Sequence, residues 1–211
     1  MAAKKLSPMM QQYMDIKEAH QDCILFFRLG DFYEMFFEDA KLVSRELELT
    51  LTGKNCGLEE RAPMCGVPFH SADTYIARLI EKGHKVAICE QTEDPAAAKG
   101  LVKREVIRIV TPGTVLSSNM LKEKENNYIA SIYAGEDSIG LAYCDVSTGE
   151  MNLTTIRGTN QRENLVNEIV KINAREVLVS RETDDKIDTE EMKPVTEAYF
   201  NIAADEFYRP D

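Results

Sequence analysis

The segment Gly30-Asp31-Phe32-Tyr33-Glu34-Met35-Phe36 follows the apolar run Cys23-Ile24-Leu25-Phe26-Phe27 and carries the residues best suited to chemistry on a flat ligand. An extended backbone sends alternate side chains to opposite faces, so Phe32 and Glu34 project from one side. Their Cα atoms then lie about 6.5 Å apart, twice the rise per residue of a strand. An apolar ring beside a hydrogen-bonding carboxyl suits a partner with a π-face and a polar edge, and a nucleobase is one. The plainer alternative is a core aromatic next to a surface carboxylate, since burial is the usual fate of Phe. Context weighs against it. Phe26, Phe27, Phe32, Tyr33, Phe36 and Phe37 crowd one short stretch, more rings than one strand face readily buries. The Gly30-Asp31 turn also places the pair at an element end, where function concentrates.

Other constellations compete for a role. Asp31, Glu34, Glu38 and Asp39 could supply carboxylates to a divalent metal, and Asp145, at a predicted strand end, resembles a catalytic Asp of RNase H-like enzymes. The runner-up function is therefore a metal-dependent nuclease acting on DNA structure through carboxylates around Asp31 and Asp145. Cheaper explanations exist for both groups: acids favour the first turn of a helix, and Asp suits turns. His20, His70 and His84 are scattered and suggest no nucleophilic triad. Neither G-x-x-x-x-G-K-[ST] nor G-x-G-x-x-G occurs, so no phosphate loop can be named. Lys99, Lys103, Arg104 and Arg108, with Lys54 and Arg61 in or beside a polar loop, are the candidate phosphate contacts; a solvated charged face explains any one of them equally well.

The elements that must position these groups alternate between helix and strand. Ser7-Pro8 starts a helix, with Ser7 as N-cap and Pro8 at the first helical position. Residues 23–29 form a strand ended by Gly30-Asp31, and Phe32–Phe36 continue as a second extended segment. Residues 38–48 suit a helix and Gly53–Glu60 a polar loop. Ala62–Val67 form a short strand, and Ser71 caps a helix that stops at Gly83. Val86–Cys89 form a strand, Asp94-Pro95 opens a short helix, and Glu105–Val110 form a closing strand. The expected architecture is α/β around a mixed sheet, over residues 1–114. Residues 115–126 read as a linker. Beyond it, Tyr128–Tyr133, Ile139–Asp145 and Met151–Ile156 read as a β-meander, residues 161–172 as a helix and Glu176–Ser180 as a strand. That order resembles the opening of an RNase H-like fold over 127–211. The tail from Arg181 is acidic and weakly patterned, and the second domain reads as cut short.

Composition bounds the partners. The 211 residues carry a net charge of −11, which argues against a phosphate-rich partner. The charge is uneven, however: residues 1–120 hold 15 Lys+Arg and 17 Asp+Glu, against 10 and 19 in residues 121–211. The acidic excess sits in the second half, which could itself dock partner proteins. Five widely spaced cysteines without a C-x-x-C pair speak against zinc and disulfides. With no signal peptide or apolar span visible, the expected location is the cytoplasm, with no membrane partner.

Several ordered stretches carry a likeness. Phe26-Phe27-Arg28-Leu29-Gly30-Asp31-Phe32-Tyr33-Glu34-Met35-Phe36, Pro63-Met64-Cys65-Gly66-Val67-Pro68-Phe69-His70, Val86-Ala87-Ile88-Cys89-Glu90-Gln91 and Arg108-Ile109-Val110-Thr111-Pro112-Gly113-Thr114 resemble the N-terminal mismatch-recognition domain of the MutS DNA mismatch repair family. Ser7-Pro8-Met9-Met10-Gln11-Gln12-Tyr13 fits that family's opening helix. Residues 126–211 resemble the start of its connector domain, which is RNase H-like but not a nuclease. The resemblance implies that Phe32 enters the minor groove and stacks on a mispaired base while Glu34 hydrogen-bonds to it. A carboxyl brought beside phosphates in a desolvated groove favours its neutral form, so Glu34 would donate to a base acceptor. Lys54, Arg61 and Met64 would flank the groove. The family's lever, clamp and ATPase regions find no counterpart here. The resemblance thus implies a DNA-binding module that is not itself an enzyme and holds no cofactor, ATP and magnesium belonging to the ATPase region. It also implies a MutL-like partner on the connector domain and a homodimer of the full-length protein.

Overall fold

The computed structural model describes residues 5–93, 100–115 and 126–208. The expected helix at Asp94-Pro95, Lys99 and most of the 115–126 linker lie outside them. The chain divides into two compact units, residues 1–111 and 112–211. Among the described residues no helix is long and apolar enough to cross a membrane.

The first unit runs α1 (Pro8–Glu18), β1 (Cys23–Leu29), β2 (Phe32–Phe36), α2 (Phe37–Leu47), β3 (Thr52–Lys54), β4 (Ala62–Pro68), α3 (Ala72–Glu81), β5 (Lys85–Gln91) and β6 (Arg104–Val110). Its sheet has the order β3-β4-β2-β1-β5-β6, with β1 parallel to β5 and the other pairs antiparallel. The register sets two faces. Phe27 pairs with Glu34 and with Cys89, and Phe36 with Met64, so these share a face. Met10 and Tyr13 of α1 join Leu25, Phe27, Phe36, Ala87 and Cys89 in one buried cluster there. On the other face α2 packs against β2 and β4, and the Cys65 thiol reaches the Ala40 carbonyl at 3.5 Å. Two covered faces solve the aromatic crowding: Phe26 and Tyr33 bury on one side, Phe27 and Phe36 on the other.

Ser7 caps α1 as expected, its hydroxyl accepting the Met10 N–H at 3.4 Å. Ser71 does not cap α3; its hydroxyl donates to the Pro68 carbonyl at 3.2 Å, back into the 3-10 turn Phe69–Ser71. The polar loop expected from Gly53 starts later, because Thr52–Lys54 pairs with β4 as the edge strand β3. Tertiary pairing there overrides a weak local preference.

The second unit comprises β7 (Tyr128–Ala134), β8 (Ser138–Asp145), β9 (Glu150–Arg157), α4 (Gln161–Ile172), β10 (Glu176–Val179), α5 (Arg181–Ile187), α6 (Thr189–Thr196) and β11 (Tyr199–Ile202). The sheet order is β11-β10-β7-β8-β9, with β10 parallel to both β7 and β11. An antiparallel meander extended by parallel strands is the RNase H-like arrangement expected. The tail from Arg181, expected to be weakly patterned, instead forms two short helices and a strand. Its apolar residues are sparse but buried: Ile187, Met192, Ala198 and Phe200 join the core of Ile132, Leu141, Leu165, Ile169 and Val177. Helices of seven and eight residues, broken at Asp188 and Glu197 in left-handed conformation, are too short to show a clear apolar period.

Candidate nucleic-acid interface

The hairpin β1–β2 turns in two residues, Gly30 and Asp31, closed by the pair Leu29 and Phe32. Gly30 takes φ +58°, the positive value that tight hairpins require at the first turn position and that other residues adopt only with strain. The turn is braced from outside: the Phe69 N–H donates to the Asp31 carbonyl at 2.9 Å. Phe32 therefore stands at the end of a fixed strand, with 46% of its surface exposed. Glu34, on the same face, is half-buried between Phe32 and the fully buried Phe36. Along these three residues the face grades from solvent to core.

The Glu34 carboxylate is held. Lys54, from β3, reaches past β4 and places Nζ 2.5 Å from Glu34 Oε2, with 36% of the Lys54 and 17% of the Glu34 side chain exposed. The ammonium also sits 5.7 Å from the Phe36 ring centroid. Gly66 lies opposite Glu34 on the intervening strand. A Cβ on Gly66 would lie 3.4 Å from Glu34 Cγ and 3.2 Å from the Tyr33 carbonyl, so its bareness leaves room for the carboxylate.

The opposite face of the hairpin carries a network that the sequence reading did not single out. Arg28 pairs with Tyr33 across the hairpin, and its guanidinium stacks on the Phe69 ring at 3.8 Å. Its Nη1 lies 3.3 Å from Glu90 Oε1, and the Tyr33 hydroxyl donates to the same carboxylate. Three motifs separated in the chain (around Phe32, Pro68 and Cys89) thus meet beneath one turn. The signal was a charged residue inside the apolar run Phe26-Phe27-Arg28-Leu29; only the pairing of β1 with β2 and β5 shows what it meets.

The remaining candidates are dispersed. Arg61 is exposed, with its Cβ against Gly53 at the β3–β4 edge. Met64 is half-buried and packs on the α1-side cluster, so the core accounts for it. Arg104 corrects the expectation of a phosphate contact. It is 7% exposed, and its guanidinium donates to the Arg28 carbonyl at 2.8 Å and to Gln12 Oε1 and the Val102 carbonyl, each at 2.9 Å. Those interior acceptors occupy it. Arg108, on β6, pairs with Ile88 of β5 and lies three strands from β2, about 14 Å away. Lys103 is exposed and paired with Glu105 at 2.5 Å.

The carboxylates named for a nuclease do not converge. Asp31 is exposed in the turn, Glu38 pairs with Lys41 on the surface, and Asp39 is buried among protein donors. Asp145 accepts the N–H and hydroxyl of Ser147 at 2.8 and 2.6 Å and the Asn127 N–H at 3.0 Å. Its burial works against the charged form, but these bonds outweigh it and hold the carboxyl below the usual range. It is the last residue of β8, and its carboxylate holds the turn that follows. Among the described residues no cluster of three or more His, Cys, Asp or Glu side chains is placed to hold a metal.

Comparison with known proteins gives a consistent answer. The family model for MutS domain I matches residues 7–119 and that for MutS domain II matches residues 127–206. The DNA mismatch repair protein MutS of Acetivibrio thermocellus is 60% identical over 208 residues, 98% of this chain and 24% of its own length. That of Ruminiclostridium cellulolyticum is 63% identical over 177 residues, 84% of this chain and 20% of its own. For Clostridioides difficile the values are 59% over 176 residues, 83% and 18%. The chain spans about a quarter or less of the length of these curated relatives. With both domain models matched in order over nearly all of its residues, the chain belongs to the MutS family.

Proposed function

We propose that the first unit recognises mispaired bases in double-stranded DNA, with Phe32 as a minor-groove wedge and Glu34 as its base-edge contact. One observation carries this reading: among the hairpin's rings, only Phe32 is left out of the core, and it shares its face with the half-buried Glu34. Stacking a ring on a base is worth about 1–3 kcal/mol and tolerates any base. Unstacking is cheapest where pairing is already faulty, so a rigid wedge that kinks the duplex senses deformability rather than sequence. The Gly30-Asp31 turn is braced twice, by the Phe69 N–H on the Asp31 carbonyl and by Arg28 Nε on the Gly30 carbonyl at 2.5 Å, which supports such a wedge, because a mobile ring would lose ordering entropy on insertion.

Among the described residues, Lys54 and Lys103 are paired with carboxylates and Arg104 is turned inward, which leaves little of the candidate cationic charge for gripping DNA unaided. Encircling contacts, ATP hydrolysis and dimerisation belong, on this reading, to the rest of a full-length MutS protein, and a MutL-like partner engages the second unit. The decisive measurement is the affinity of a full-length MutS protein carrying this chain for a mismatched and for a perfect duplex. Tighter binding of the mismatch, lost on Phe32→Ala, is the expected result. Equal binding of both duplexes by the unsubstituted protein would overturn the reading. Cleavage of either duplex by this chain with Mg²⁺ or Mn²⁺ would favour the nuclease instead.

A further inference from the structure

The Lys54–Glu34 pair bears on how the site engages DNA, given the wedge reading above. The minor groove presents mainly acceptors, adenine N3 and thymine O2. A carboxylate held by an ammonium is itself only an acceptor, so in the geometry seen here Glu34 meets a base edge acceptor to acceptor. With Lys54 Nζ 2.5 Å from Oε2, that oxygen is already engaged and is not presented to a base. Lys54 has an alternative partner as soon as DNA arrives, because phosphates line both edges of the groove. Its side chain is the more exposed of the two and comes from the edge strand β3, free to swing outward without disturbing a strand pair.

We propose that Lys54 is an exchangeable latch: it holds Glu34 in the free protein and passes to a DNA phosphate on binding, which releases Glu34 to the mispaired base. The pair then has two effects. It cancels the Glu34 charge during approach to the phosphates, and it makes release of the base-contacting carboxyl depend on DNA being present. Lys54 acts on the base through Glu34 and is a positioning residue.

The test is a double-substitution cycle, Glu34→Ala and Lys54→Met, in a full-length MutS protein carrying this chain, with binding measured across a salt series. Lys54→Met should make the dependence of log K on log salt shallower by about 0.9, the contribution of one phosphate contact. Lys54→Arg should restore it. In the Lys54 background Glu34→Ala frees the ammonium beforehand and should tighten binding to perfect duplex about two- to five-fold, the size of a partly exposed ion pair. With Lys54→Met also present, Glu34→Ala relieves instead the repulsion between an uncancelled carboxylate and the phosphates, so the size of its effect should change with residue 54. An unchanged salt slope, or a Glu34→Ala gain independent of residue 54, would overturn the latch. Because Phe32→Ala is scored in parallel, loss of mismatch preference there with no Lys54 coupling rejects the latch alone, whereas no effect of Phe32→Ala rejects the wedge itself. Urea unfolding of each variant excludes misfolding as the cause.

Discussion

Asp39 Oδ2 accepts the backbone N–H of Leu25 at 2.9 Å, tying the helix that follows the hairpin to the hairpin's own first strand. The same carboxylate receives the Tyr13 hydroxyl at 3.2 Å and the Lys17 ammonium at 2.9 Å, so α1, β1 and α2 share one buried acceptor. Removing it strands donors in the core. Asp39→Ala should destabilise the first unit by about 2–4 kcal/mol, because the buried Leu25 N–H and Tyr13 hydroxyl lose their charged acceptor while Lys17 keeps the Cys23 carbonyl. Asp39→Asn, which keeps one acceptor oxygen, should cost about 1–3 kcal/mol. Urea midpoints at constant slope measure both; equal costs would mean that the Lys17 charge, and not the bonds to Leu25 and Tyr13, dominates.

Phe32 predicts the opposite separation of stability and binding. Its ring is 46% exposed, so Phe32→Ala should shift stability by less than about 0.5 kcal/mol. In a full-length protein the same change should reduce mismatch preference by roughly 5- to 150-fold, corresponding to one lost ring–base stack. Phe36→Ala, two residues along the same face but fully buried, should instead cost about 3–5 kcal/mol of stability. Thermal unfolding beside duplex-binding titrations distinguishes the two outcomes.

This contrast also marks how far the sequence was legible. Alternation alone put Phe32 and Glu34 on one face, and turn chemistry at Gly30-Asp31 ended the strand in the right place, because both are local effects. Local pattern could not say that Phe36 would be core and Phe32 solvent; that depends on α1 covering only part of the face. Arg104 reads as a basic surface residue beside Lys103, yet strand pairing turns it inward onto Phe27, 4.9 Å from the ring centroid. The Lys54–Glu34 pair joins residues 20 apart across a strand that lies between them. No spacing rule reaches that distance.

Glu34 yields a chemical prediction. If the carboxyl donates to a base acceptor, an amide of the same shape should serve in part, since its NH₂ is a permanent donor. Glu34→Gln should therefore retain more mismatch binding than Glu34→Ala in a full-length protein. Equal weakening by the two would show that charge, not donation, is what the site uses.

Asp145 yields a prediction for the acid stability of the second unit. Burial disfavours its ionised form, but hydrogen bonds from the Ser147 hydroxyl, from the Asn127, Ser147 and Thr148 N–H groups, outweigh that and hold the folded carboxyl below its usual range. The sign follows. The unfolded chain binds the proton more tightly, so the stabilisation is fully present above the unfolded value of about 3.9 and is lost as pH falls through the lower folded value. Neutral pH should leave it untouched. Asp145→Asn should remove part of the loss of stability below about pH 4, while costing stability at pH 7 because an amide oxygen replaces a charged acceptor for the turn. Urea unfolding at a series of pH values, followed by a probe in the second unit, reads this directly. An Asp145→Asn profile parallel to that of the unsubstituted chain would assign the acid sensitivity to other carboxylates.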